Sequence, residues 1–341
     1  MSPQKIHTLI PFAAAAVLCM AAASLPFFRE SGVSPLTLAI VLGMAAGNSP
    51  LNRHTAALGN AVMFAKGTLL RLGIVFYGFR ITVPQLLYAG WPALLADVCV
   101  VAGTFVLALY LGRRLRLDAD TAALVGAGSA ICGAAAVLAA QPVLKAKEAA
   151  VGVAVATVVV FGTLAMFVYP LMAAALLPHD APAAAWFGWG IYTGATVHEV
   201  AQVAAAGAAA NPVTADVAVI TKMIRVLLLA PFLLLLPRLM RHFNGGADAG
   251  GGGASVPWFA LGFLAAAVFN SFIPLPAALH GGILQADTFL LTVAMCALGF
   301  STRWQSVRQA GMRPLLLAAL LALWLLIGGG ALSYAACRLF A

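Results

Sequence analysis

The chain has 341 residues, of which 63% are hydrophobic and 9% charged, with a mean hydropathy of +1.01. A soluble domain carries about 25% charged residues, so this composition excludes a pair of water-soluble domains and points to a polytopic membrane protein. The 19 Lys and Arg exceed the 10 Asp and Glu, but they are scattered among the loops without a basic stripe, so the expected partner is the lipid bilayer and not nucleic acid.

In chain order, apolar stretches run near 8–27, 34–48, 57–79, 91–111, 121–141, 148–177, 184–210, 215–237, 257–274, 284–300 and 314–337. A helix of roughly 18–30 residues crosses a hydrocarbon core of about 30 Å. The stretches lack the alternation of barrel strands and must satisfy their own backbone groups, so they read as helices. The fold class is therefore all-α, with about 10–11 hydrophobic spans in a single integral membrane domain over 1–341. Lys5 and the small residues Ala21–Ser24 flank the first stretch in the manner of a signal peptide. Its apolar run exceeds an h-region of about 7–15 residues, so a retained helix is expected. The glycine-rich segment 244–254 reads as a flexible loop between two helix groups. Cys19, Cys99, Cys132, Cys296 and Cys337 form no C-x-x-C pair, so no disulfide framework, metal site or cofactor is expected.

Loop charges give an orientation. With every stretch crossing, Lys5, Arg53, Arg113, Arg114, Arg116, Arg238, Arg241, Arg303, Arg308 and Arg313 share the N-terminal side, against Arg29, Arg80, Lys145, Lys147 and Arg338. The richer side is cytoplasmic, which places the N-terminus inside and the C-terminus outside. Lys145 and Lys147 fit poorly. If 121–141 and 184–210 are re-entrant hairpins from opposite faces, both lysines move inside and the split becomes twelve to three. Two broken helices that do cross are the alternative.

Those two stretches are exceptional in their residues as well. The first reads Leu124-Val-Gly-Ala-Gly-Ser-Ala-Ile-Cys-Gly133, with small residues on several faces. Glycine costs about 1 kcal/mol relative to Ala in a helix interior. Close helix packing through small residues is the competing explanation, but it needs only one face. The second reads Gly188-Trp-Gly-Ile-Tyr-Thr-Gly-Ala-Thr-Val-His-Glu-Val-Ala-Gln202, which puts His198 and Glu199 inside an apolar run. A charge at a membrane-helix centre costs roughly 2.5–3.5 kcal/mol on insertion scales, so these groups are functional candidates or a buried pair that holds helices together. His198-Glu199 is not a zinc-protease signature, because the second histidine of H-E-x-x-H falls at Gln202.

The stretch 215–237 carries Lys222 and Arg225, three apart and so on one helix face. Lys222 is placed to snorkel to the interface, whereas Arg225 is deeper and needs a polar partner or a wet cavity. Its planar fork suits carboxylate, sulfonate or sulfate oxygens. Lys66 and Arg71, five apart, point to different faces, and Asp97 has no evident partner. A broken helix presents unpaired N–H groups at its new N-terminus. Two breaks that meet make the anion site of secondary transporters with discontinuous helices. The residues expected to bind a small anionic substrate are Gly128, Ser129, Cys132, Gly133, Thr193, Gly194, Thr196 and Arg225. Those expected to couple a proton or Na⁺ are His198, Glu199, Gln202 and Lys222. No nucleotide motif is present, so ATP-driven pumping is not expected.

Gly128-Ser-Ala-Ile-Cys-Gly133, Phe161-Gly-Thr-Leu-Ala-Met166 with Tyr169-Pro170, Thr193-Gly-Ala-Thr-Val-His-Glu-Val-Ala-Gln-Val203 and Lys222-x-x-Arg225-Val226 together resemble the YeiH-type sulfate exporter family. The resemblance runs over nearly the whole chain. It implies an inner-membrane protein related in fold to cation/proton antiporters and bile-acid symporters, with homodimerisation expected from that fold. The family position after His198 is often Asp; here Glu199 is one methylene longer. The expected function is ion-coupled export of a small oxyanion such as sulfate or an organosulfonate. A carboxylate carrier of the same fold is the first alternative. An intramembrane enzyme using Ser129, Cys132 or His198-Glu199 is the less favoured one, so no catalytic residue is assigned.

Overall fold

The computed structural model describes residues 3–25, 28, 34–49, 58–178, 180–244, 258–302 and 310–340, and among them every regular element is helical. Residues 245–254 of the expected glycine-rich loop lie outside the described residues, as do Arg29, Arg53, Arg303 and Arg308 of the charge count.

The helices are α1 (Pro3–Ala23), α2 (Pro35–Gly47), α3 (Gly59–Phe64), a π-helical segment (Ala65–Leu69), α4 (Leu70–Tyr77), α5 (Val83–Arg114), α6 (Ala119–Ala130), α7 (Ala134–Leu144) and α8 (Glu148–Leu176). There follow α9 (Ala183–Thr196), α10 (Val200–Ala210), α11 (Pro212–Leu227), α12 (Leu229–Asn244), α13 (Trp258–Phe272), α14 (Ala277–Ser301) and α15 (Met312–Leu339). Five helical runs are long and apolar enough to cross a membrane alone: Gly59–Arg80, α5, α8, α14 and α15. The bent pair α11–α12 makes a sixth. The eleven stretches are therefore not equal crossings. Stretches 121–141, 184–210 and 215–237 are interrupted, and α2 and α13 have only 13 and 15 residues.

The stretch 215–237 is not one rod. α11 and α12 meet at 44° around Leu228. Pro231 has no N–H for the carbonyl of Leu227, so the ladder loses a bond at this point.

The chain forms two compact units, Met1–Leu86 with Trp258–Trp304, and Leu87–Pro257 with Gln305–Ala341. In the first, α14 packs along α1, α2 and α4. Gly43 and Gly47 of α2 and Gly299 of α14 let the two backbones touch: a Cβ there would meet Cys296 O, Phe300 O and Ile40 O respectively. This is the small-xxx-small mode of membrane-helix packing. Arg80 Nε donates to Asp287 Oδ2 at 2.7 Å, and its Nη2 to Thr288 Oγ1 at 2.8 Å.

In the second unit α9 and α10 both pack on α11, α10 and α6 pack on α8, and α15 packs on α9 and α6. Local chemistry starts these helices. The Asp118 carboxylate accepts the Thr121 N–H at 2.8 Å to cap α6. Asn211 Oδ1 accepts the Val213 N–H at 2.8 Å to cap α11, whose first residue is Pro212. A core of Ala96, Val100, Ile191, Ala195, Val217, Leu325 and Ala336 joins α5, α9, α11 and α15.

Candidate functional site

Both sequence-expected breaks are present. α6 stops at Ala130, and Gly133 at φ +68° and ψ −135° starts α7. An L-residue rarely adopts this backbone conformation, so the break needs glycine there. α9 stops at Thr196, and Val197 and Glu199 are extended before α10 begins.

The C-terminal ends of α6 and α9 expose carbonyls, and α11 supplies the donors for them. Lys222 Nζ donates to Ile131 O and to Val197 O, each at 2.7 Å. Arg225 donates from Nε to Ala130 O at 2.6 Å, from Nη2 to Ser129 O at 2.7 Å and from Nη1 to Val197 O at 3.3 Å. Val197 O thus accepts from both cations, and one ammonium bridges the two breaks. Cations at helix C-termini are favoured because the last carbonyls are unpaired and carry the negative pole of the helix. Lys222 does not snorkel: it and Arg225 are both 0% exposed. Their spacing of three puts both on the face of α11 that meets the breaks.

The N-terminal ends of α7 and α10 are matched by the opposite charge. Glu199 is the N-cap of α10 in a reciprocal box with Gln202: its carboxylate accepts the Gln202 N–H, and Gln202 Oε1 accepts the Glu199 N–H at 3.1 Å. The same carboxylate accepts the Ala134 N–H of α7 at 3.4 Å. A Cβ on Gly133 would collide with Glu199 Cγ at 2.5 Å. One carboxylate therefore caps two half-helices, at the place where an anion at a helix N-terminus sits.

The remaining predicted residues divide. Ser129, Thr193 and His198 are 1–2% exposed, and among the described residues Ser129 Oγ, Thr193 Oγ1, His198 Nδ1 and Gln202 Nε2 have no hydrogen-bond partner. His198 feels Arg225 and Lys222 through space, and so does the buried Cys132. Thr196 Oγ1 turns back on its own helix and donates to Tyr192 O at 2.5 Å. Gly128 lies against Val158 and Val137, and Gly194 against Ala218 and Thr221, so both serve close packing around the breaks. Lys66 and Arg71 belong to the first unit and are exposed.

A family model described as conserved hypothetical protein 698 matches residues 7–318 of the chain. The chain is 47% identical over 315 residues to the UPF0324 inner membrane protein YeiH of Escherichia coli K12, covering 91% of this chain and 88% of that one. The chain belongs to this family. Against the UPF0324 inner membrane protein YeiH of Salmonella typhi the identity is 47% over 314 residues, with 91% and 88% covered. Against the UPF0324 membrane protein PA5383 of Pseudomonas aeruginosa it is 47% over 319 residues, with 90% and 87% covered. No solved structure matches. The helical architecture and these relatives make the chain a membrane protein.

Two further residues belong to this UPF0324 site: Tyr192, which carried no role in the sequence, and Asp97, a second-rank candidate there. Tyr192 donates its hydroxyl to Leu326 O at 2.7 Å and stacks on Tyr169 at 4.8 Å between centroids, which ties α9 to α15 and α8. Asp97 of α5 is 0% exposed and lies within electrostatic reach of Arg225 and Lys222. The signal for Asp97 was its position in an apolar run; its neighbours come from helices more than a hundred residues away.

Proposed function

We propose that the chain is a secondary carrier for a small oxyanion, sulfate or an organosulfonate, whose movement is coupled to protons or Na⁺. The observation that carries this reading is the meeting of two interrupted helices whose free ends are matched by buried charges: Lys222 and Arg225 on the carbonyl ends, Glu199 on the N–H ends. The Glu199 carboxylate holds the place of the substrate. When it swings away, the N–H groups at the starts of α7 and α10 are free to cap an incoming oxyanion.

Around that point, Ser129 Oγ and Thr193 Oγ1 have no partner among the described residues and can donate to a substrate oxygen. Cys132, Thr196 and the backbone at Gly128, Gly133 and Gly194 shape the site. Arg225 has used three N–H groups on carbonyls and retains its charge and two further donors for the anion. His198, Glu199, Gln202 and Lys222 form the coupling group. The names of the relatives favour the inner membrane, and the loop charges favour a cytoplasmic N-terminus with the C-terminus outside.

The test is flux. Liposomes holding the purified protein should move labelled sulfate or a small sulfonate in response to a pH or Na⁺ gradient, and small carboxylates should compete poorly. Flux no greater than in protein-free liposomes across that panel overturns the proposal.

A further inference from the structure

Asp97 is 0% exposed, and neither of its carboxyl oxygens has a hydrogen-bond partner among the described residues. On its own helix Ala96 is adjacent and Ala93, Val100 and Val101 lie one turn away, all buried and apolar. Of these, Ala96 and Val100 pack into the core shared with α9, α11 and α15. An ionised carboxylate sealed from water without a donor is among the costliest arrangements a protein can hold, and an acidic group so placed takes up a proton instead.

The charged groups that act on Asp97 are Arg225 and Lys222, both from α11. Their hydrogen bonds go to the carbonyls of Ser129, Ala130, Ile131 and Val197. The titratable groups that α9 and α15 bring near the same core are Tyr192, whose hydroxyl donates to Leu326 O, and Cys337. Neither is a base for Asp97.

We infer that Asp97 is a proton-binding site of the second unit and that its proton controls anion loading. In the carrier reading the anion takes the place of the Glu199 carboxylate, so with Asp97 neutral it faces the two positive charges of Lys222 and Arg225, which one sulfate dianion matches. With Asp97 ionised one of those charges is already balanced, and sulfate enters a site with half the net charge to attract it. Proton and anion therefore bind together, and each strengthens the other by the same factor. The proton comes from water on the face where the anion enters and returns to water where it leaves. The loading half of this inference rests on the carrier reading; the proton on Asp97 does not.

Infrared spectroscopy of the purified full-length protein separates the two. A carboxylic-acid C=O band is expected that moves in D₂O and shifts when aspartate, but not glutamate, carries a ¹³C carboxyl. The band should be lost in Asp97→Asn. Its absence from the wild type, a shift with labelled glutamate only, or its persistence in Asp97→Asn overturns the inference, and none of these readings depends on the substrate. In liposomes, Asp97→Asn should keep sulfate-for-sulfate exchange and lose uptake driven by a proton gradient. Gradient-driven uptake equal to wild type in that variant sinks the loading half. Absence of sulfate flux in the wild type, with the band assigned to Asp97, instead fails the carrier reading and leaves the proton site standing.

Discussion

The run Gly59–Arg80 and the helix α11 each place two cations in an apolar sequence, Lys66 with Arg71 and Lys222 with Arg225. In the first run both side chains are exposed, and the Arg71 guanidinium stands 6.0 Å from the centre of the Phe259 ring. In α11 both are fully buried and donate to carbonyls of two other helix ends. The same type of signal thus has opposite outcomes. Spacing decides: three residues share a helix face and five do not. The second requirement is a set of acceptors, and broken helices supply them.

The largest effect is expected from Arg225→Ala. It leaves the carbonyls of Ser129 and Ala130 without their donor, and it should lower stability by about 3–5 kcal/mol, the range for removing one member of a buried charge group. A reduced melting temperature and lost flux are expected, with partial recovery in Arg225→Lys. An unchanged melting temperature would put the clamp in doubt.

Gly133→Ala comes next. The backbone there is at φ +68°, and the added methyl meets Glu199, so a loss of about 2 kcal/mol is expected. The melting temperature should fall by more than for Ala at Gly152, whose Cβ position is open. Equal effects at the two glycines would remove the case for strain at the break.

Glu199→Ala removes the cap from α7 and α10 and should cost about 1–2 kcal/mol. Glu199→Gln should cost less. If Glu199 stands in for the substrate, both variants should show sulfate-dependent thermal stabilisation at lower sulfate concentrations than the wild type. Weaker stabilisation in both would overturn the exchange of carboxylate for anion. The smallest effects belong to Lys66→Ala and Arg71→Ala, expected within about 0.5 kcal/mol of wild type and with flux intact. Lost flux in either would show that the exposed cations serve the same task as the buried pair.

Much of the site was legible in the residues. Glycine in unusual density around 126–133 and His198-Glu199 in an apolar run marked the two breaks, because neither pattern suits an uninterrupted membrane helix. The i, i+3 spacing of Lys222 and Arg225 marked the face of α11. Legibility failed where long-range contacts decide. The cations face the carbonyl ends, whereas charge alone suggested a guanidinium waiting for an anion beside the N–H ends. The bend at Leu228 depended on Pro231, hidden inside an otherwise apolar run. Asp97 carried no local pattern, and the charges acting on it lie on α11.

Helical character and residence in a bilayer follow from the residues alone, since too few polar side chains exist to face water, and so do the two breaks at 131–133 and 197–199, since small and polar residues are local causes. Which charge meets which helix end was settled by packing. Backbone carbonyls and N–H groups have no letter of their own in a sequence, and their pairing with Lys222, Arg225 and Glu199 exists only once segments 65 to 96 residues apart are brought together.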